Sequence, residues 1–239
     1  MVFLPKSVNQ SKHCIKVFED EIKNQNLKII GWRDVPVNSK VVGSIASQSQ
    51  PEIKQVFITT NDSETDEINF NIKLFKARKI AENSIFSSEL SEKEYFYFSS
   101  LSTKTIIYKG LLVPEDIERF YVDLKDSSLV TKLALVHQRF STNTFPTWDL
   151  AQPFRAQSHN GEINTLKGNV NLISSRQGVA KSDLFGERLR DLYPVAEPDC
   201  SDSGNFDNVL EFLMLTGRSL QESIMMMIPE AWQSDNLMK

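Results

Sequence analysis

The chain has 239 residues, 24% charged and 40% apolar, with 9 Gly, 9 Pro and a formal net charge of −4. That length buries a core without disulfide or metal staples, and the composition excludes a collagen, a coiled coil or a disordered tail. The 27 basic residues are dispersed rather than gathered into the patch a nucleic acid needs, and no run reaches the ~18 apolar residues of a membrane span.

In chain order, Ser11 is placed to cap a helix running to about Asn26, with Ile15, Phe18 and Ile22 at helical spacing. Lys28 to Val35 reads as a strand stopped by Pro36, and Ile53 to Thr59 as another. The acidic run from Asn61 to Glu67 reads as a solvated loop, and residues 69–84 as a helix. Tyr95 to Ser102 and Thr105 to Lys109 read as two strands of a hairpin. Pro114-Glu-Asp starts a helix, because proline lacks the N–H that is unpaired there anyway and acids suit the positive end of the dipole. Lys132 to His137 reads as a buried strand.

The texture then changes. Residues 139–178 are dense in Asn, Thr, Gln, His, Arg and Gly, yet hold Phe140, Phe145, Trp148 and Phe154. Polar groups among aromatics suit a lined cleft, and equally an ordered surface loop. Ser203 to Leu215 is an amphipathic helix closed by Gly217, and Ser219-Leu-Gln-Glu222 is a capping box opening a last helix that ends near Pro229. The expectation is one α/β or α+β domain, with no repeat, linker or internal boundary. Two cysteines, Cys14 and Cys200, fit a reducing compartment, and the opening Met1-Val-Phe-Leu-Pro-Lys lacks the pattern of a signal peptide. A soluble intracellular domain is expected.

Three constellations carry possible chemistry. His137, His159, Cys200 and Asp202 are metal-ligand types, but their spacing matches no ligand pattern. Cys200 with His159 as base is a poor nucleophile, since the flanking acids Asp199 and Asp202 disfavour a thiolate. The third needs no nucleophile from the chain: the Asn160 side chain and the Gly161 N–H are two donors able to hold an oxyanion. Arg139 can grip a carboxylate with two parallel bonds, and Asp202 can hold an ammonium group or cap the helix that follows. Asn-Gly is also an ordinary turn dipeptide, and an arginine is often a structural ion pair. Spacing alone does not make the three converge.

The run His137-Gln-Arg-Phe-Ser-Thr-Asn-Thr-Phe-Pro-Thr-Trp-Asp-Leu-Ala-Gln-Pro-Phe-Arg155 resembles glutamate synthase. So does Ser158-His-Asn-Gly-Glu-Ile-Asn-Thr-Leu-Lys-Gly-Asn-Val-Asn171. More narrowly, both resemble the class II glutamine amidotransferase domain of that enzyme. Met1 to Pro5, Gly31 to Val37, Ser100 to Thr105, Tyr108-Lys-Gly, Ser201 to Glu211 and Met226 to Trp232 extend the likeness over essentially the whole chain.

The resemblance implies an α+β fold of the N-terminal-nucleophile (Ntn) hydrolase type, a four-layer αββα sandwich, here missing its first strand. It implies hydrolysis of L-glutamine by an N-terminal cysteine, with Asn160 and Gly161 as the oxyanion hole. Arg139 and Thr142 would bind the substrate carboxylate and Asp202 its ammonium group. The ammonia would pass to a distant FMN site, where 2-oxoglutarate is reductively aminated to L-glutamate. By the same resemblance FMN, a 3Fe-4S cluster and FAD belong to the full-length enzyme, and none is expected in this segment.

No Cys-Gly-type start precedes Met1 here, so residues 1–239 are expected to be part of that domain. The N-terminal nucleophile segment and the downstream synthase domains would then be absent, and the isolated chain inactive. The rest of the synthase polypeptide is its expected partner, with ferredoxin as electron donor and neither nucleic acid nor membrane. Frequent Lys, Asn and Ile look like an AT-rich genome, which points to the plastid (chloroplast) stroma, with the bacterial cytoplasm as the alternative. Two further readings stand beside this one. One is a non-catalytic relative of class II amidotransferases that binds glutamine or a subunit. The other is an amidophosphoribosyltransferase, which shares the Asn-Gly and Arg elements but not Ser141-Thr-Asn-Thr-Phe-Pro-Thr-Trp148.

Overall fold

A three-residue strand, β1 (Val2–Leu4), lies at the centre of the sheet. The computed structural model describes residues 1–60, 62, 65–140, 144–197 and 199–228. Strands β2 (Leu27–Asp34), β3 (Glu52–Thr60) and β4 (Tyr97–Phe98) complete one antiparallel sheet in the order β2-β3-β1-β4. Val2 pairs with Lys54 on one side and with Phe98 on the other. Side chains alternate between faces of a strand, so Val2 and Leu4 enter one core and Phe3 the other.

Helices α1 (Val8–Asn24) and α3 (Glu67–Phe86) cover the first face. On α1, Cys14, Phe18 and Ile22 recur every four residues and are all buried, forming the stripe that meets the sheet. Fully burying side chains of this kind contributes about 1.5–3 kcal/mol each. Helix α3 is buried on two sides. Leu74, Ala77, Ala81 and Ile85 face the sheet core, while Ile72 and Phe75 pack on Phe185, Leu189 and Leu192. Its Asp66 cap accepts the Asn69 N–H at 2.7 Å. The second face is closed by Phe120, Tyr121 and Trp148 over Phe3 and Ile53. Short helices α2 (Ser44–Gln48) and α4 (Ile117–Phe120) lie in this part of the chain. Helices α5 (Leu166–Arg176), α6 (Asp202–Leu215) and α7 (Leu220–Met227) follow.

Several expectations shift. Helix α1 starts earlier than predicted: Ser7 is its first flanking residue, and Ser11 lies inside it, bonding Glu52 at 2.8 Å. Pro114-Glu-Asp opens a short 3₁₀ turn that continues into α4. The hairpin is not formed. β4 pairs with β1 instead, and the backbone groups of Ile107 are taken by serine side chains, its C=O by Ser99 Oγ at 3.3 Å and its N–H by Ser100 Oγ at 3.2 Å.

The buried strand at Lys132 to His137 is also corrected. Those residues carry no regular structure, and Leu133 and Val136 are 81% and 82% exposed. An apolar, β-branched run fits a strand only where a neighbouring strand takes its backbone groups, and no described strand pairs with it. The acidic run lies partly outside the described residues, as does Pro229.

Candidate functional site

The Asn160-Gly161 dipeptide lies in irregular chain just before α5 and is exposed. The residue ahead of it is held from two directions. The carboxamide of Gln152 accepts the His159 N–H and donates to the His159 C=O, both at 2.7 Å. The His159 ring places Nδ1 3.1 Å from Ser203 Oγ. A side chain at Gly161 would meet the same ring, with its Cβ 2.8 Å from His159 Nε2, so glycine leaves the room that the imidazole occupies.

Asp202 opens α6 and is fully buried. Its carboxylate accepts the Ser203 N–H at 2.6 Å, the Ser203 hydroxyl at 3.2 Å and the Ile163 N–H at 2.9 Å. The cap of α6 is Ser201, which takes the Gly204 N–H at 3.0 Å, so Asp202 is not needed for that task. Asp202 is thereby tied to the loop that carries Asn160 and Gly161, through Ile163 beyond them and through Ser203 and His159 before them.

Arg139 stands apart. It is exposed, its N–H donates to His137 Nδ1 at 3.1 Å, and no described hydrogen bond or ion pair links it to Asn160, Gly161 or Asp202. Thr142 lies outside the described residues. His137 and Cys200 do not join His159 and Asp202: among the described residues no group of three or more His, Cys, Asp or Glu side chains is arranged to hold a metal ion. Burial pushes the Cys14 and Cys200 thiols up to about 12, so neither is a thiolate near neutral pH.

Beneath this loop is a buried polar support that the sequence did not single out. Arg155 leaves the loop to bond Glu211 of α6 at 2.9 Å, Tyr97 Oη of β4 at 3.2 Å and Asn208. Its own N–H donates to Asp207, which also takes the Ala156 N–H at 2.7 Å. Burial works to lower the Arg155 guanidinium, but Glu211, Tyr97 and Asp207 outweigh it and hold it well above its ordinary value. Arg78 of α3 joins the same Glu211 at 2.6 Å. Burial works to raise the Glu211 carboxyl, and Arg78 and Arg155 together keep it below the usual range.

Lys109, only 1% exposed, donates to the Asp149 C=O at 2.6 Å and lies 4.6 Å from the centre of the Tyr97 ring. Burial pushes its ammonium down to about 7. For Arg155 the sequence carried a signal, a charged type among the aromatics of residues 139–178, and for Lys109 and Arg78 it carried none. Which of them are buried depends on contacts far apart in the chain.

The profile of the family described as "Glutamine amidotransferases class-II" matches residues 1–239. The chain is 44% identical to the glutamate synthase [NADPH] large chain of Bacillus subtilis (strain 168), a match covering 100% of this chain and 15% of that protein. It is 43% identical to the glutamate synthase [NADH] of Saccharomyces cerevisiae, over 98% of this chain and 11% of that one. With the ferredoxin-dependent glutamate synthase 2, chloroplastic, of Arabidopsis thaliana it shares 40% identity over 98% of its length and 14% of the relative's. The chain thus spans between 11% and 15% of the length of these relatives. With the profile matched from its first residue to its last, the chain belongs to the class II glutamine amidotransferases.

Proposed function

We propose that residues 1–239 are part of the glutamine amidotransferase domain of a glutamate synthase, which hydrolyses L-glutamine to L-glutamate and ammonia. The observation that carries this reading is the loop at Asn160 and Gly161. It offers two adjacent donors, its backbone is gripped by Gln152, and it is bonded through Ile163 to the buried carboxylate of Asp202. Attack of a thiolate on the side-chain amide places negative charge on the amide oxygen. Donors fixed beforehand at that point lower the barrier because they need not reorganise. In this reading Asn160 and Gly161 receive the oxyanion, Asp202 the substrate ammonium group, and Arg139 and Thr142 its carboxylate.

By the resemblance the nucleophile is a cysteine at the start of a longer polypeptide, a reading supported by the two thiols of this chain, which burial pushes up to about 12. The sheet of the described residues is then one of the two in a four-layer αββα sandwich. Ammonia released here passes to a distant site of the same polypeptide for reductive amination of 2-oxoglutarate. The reducing equivalents would come from FMN held in that other part, with a 3Fe-4S cluster and FAD as further carriers. The described residues of this chain do not fit an iron–sulfur cluster, and no step of the hydrolysis calls on one. Ferredoxin in the plastid stroma is the proposed electron source. The Lys-, Asn- and Ile-rich composition supports it, while the likeness to the Bacillus subtilis NADPH large chain favours the bacterial alternative.

The test uses the complete polypeptide. Asn160→Ala should lower glutamine-dependent turnover by about 10²–10³, the usual cost of one oxyanion donor, and affect ammonia-dependent synthesis far less. Equal losses in both assays would overturn the oxyanion assignment. Turnover of the unmodified enzyme with NADPH but not with reduced ferredoxin would overturn the proposed donor.

A further inference from the structure

Gln152 is 6% exposed, and among the described residues both ends of its carboxamide go to the backbone of one residue. A glutamine used this way replaces a strand partner. It satisfies the N–H and the C=O of His159 at once, with two bonds of 2.7 Å, and so fixes the φ and ψ angles that aim the next residue.

Its own footing is buried and bonded. Ala151 and Phe154 beside it are buried, the Asp149 C=O is held by Lys109 at 2.6 Å, and Trp148 donates to the Ala46 C=O at 3.1 Å while its ring takes the room a side chain at Gly110 would need. The reach is short as well. Only the His159 peptide separates the clamp from the Asn160 side chain, and only one further residue separates it from the Gly161 N–H.

We propose that Gln152 is the positioning residue of the glutamine-amide site, its carboxamide fixing the His159 backbone so that Asn160 and Gly161 point at one oxygen. This rests on the oxyanion reading given above. Gln152 does not touch substrate. It acts only through the two donors, and those donors matter most when charge has developed on the amide oxygen. Loss of the clamp is therefore felt in kcat for glutamine and not in KM, and a donor displaced by about 1 Å costs about 10²-fold.

The experiment compares Gln152→Ala, Gln152→Met and Asn160→Ala, singly and with Asn160 and Gln152 both changed, in the complete synthase polypeptide. Gln152→Met keeps the length and fills the same buried space while removing both bonds to His159, which guards against a variant that simply fails to fold. The expected result is a glutamine kcat lowered about 10²-fold by Gln152→Ala and by a similar factor by Gln152→Met. The glutamine KM and the ammonia-dependent rate should remain within about twofold, and Gln152→Ala should add almost nothing to Asn160→Ala, because residues acting as one unit are not additive. Full multiplication of the two losses, an unchanged kcat in Gln152→Met, or a loss carried by KM would overturn the positioning role while leaving the oxyanion reading intact. An unchanged glutamine kcat in Asn160→Ala would overturn that reading itself, and the positioning role with it.

Discussion

Lys109 is a cation in a place where a cation is costly. Its ammonium is 1% exposed, with a carbonyl at 2.6 Å and the Tyr97 and Phe154 rings at 4.6 and 4.8 Å. The carbonyl and the ring faces offset part of the loss of water, and burial still brings its pKa down to about 7. An unfolded lysine keeps its proton to about pH 10.4. Between pH 7 and 8.5 the unfolded chain therefore binds more protons than the folded one, and stability rises with pH. We expect the urea midpoint of the chain to climb across that interval, and Lys109→Met to flatten the climb. A variant with the same slope as the parent would show that the titrating group is another. At higher pH the sign reverses, because thiols with pKa near 12 in the fold ionise earlier in the unfolded chain. Nothing in the sequence around Tyr108-Lys-Gly announces a buried ammonium, since its surroundings come from Tyr97, Asp149 and Phe154.

Elements defined by their own residues were legible in the sequence. The helical spacing of Ile15, Phe18 and Ile22, the strand read over Ile53 to Thr59 and the helix read over 69–84 are local readings, and each gave an element within a few residues of its observed span. The capping box is the clearest instance. Ser219 accepts the Glu222 N–H at 3.2 Å, and Glu222 accepts the Ser219 N–H at 2.8 Å. Ser219→Ala should cost α7 about 1 kcal/mol, read as roughly fivefold faster amide exchange over Leu220–Met227. Unaltered exchange there would mean that packing, not the cap, holds the helix end.

What was not legible depends on partners. β1 is three residues long and buried on both faces, so it has no alternation to display. The hairpin was misread because two serine side chains took the backbone groups that a strand would have used. Within the candidate site, Asn160 and Gly161 were readable as donors. The bonds to Asp202 and Gln152 were not, because no local rule joins residues 39 or 7 positions apart.

At the scale of the whole molecule, several large apolar side chains of one chain region are open to solvent. Val130, Leu133 and Val136 carry no regular structure and are 84%, 81% and 82% exposed, and Phe145 is 82% exposed. An exposed apolar segment outside the described sheet is a template for association. The 239-residue chain should therefore bind a hydrophobic dye and associate as its concentration rises. Leu133→Asp combined with Val136→Lys should lower both roughly several-fold. Dye binding unchanged by the pair would place the sticky surface elsewhere.

The buried charges joining α3, α6 and the loop alternate in sign from Glu82 through Arg78, Glu211 and Arg155 to Asp207. Removing any one member leaves its neighbours poorly compensated in a largely buried site and costs about 3–5 kcal/mol. Exchanging whole pairs for apolar residues is often nearly neutral. Such an array is durable for reasons of history more than of strength. A descendant could leave it only by altering two or more positions together, and every single step on the way is worse than the start. Drift would thus pass freely through the exposed loops of this domain while the order of these five charges stays closed to gradual change.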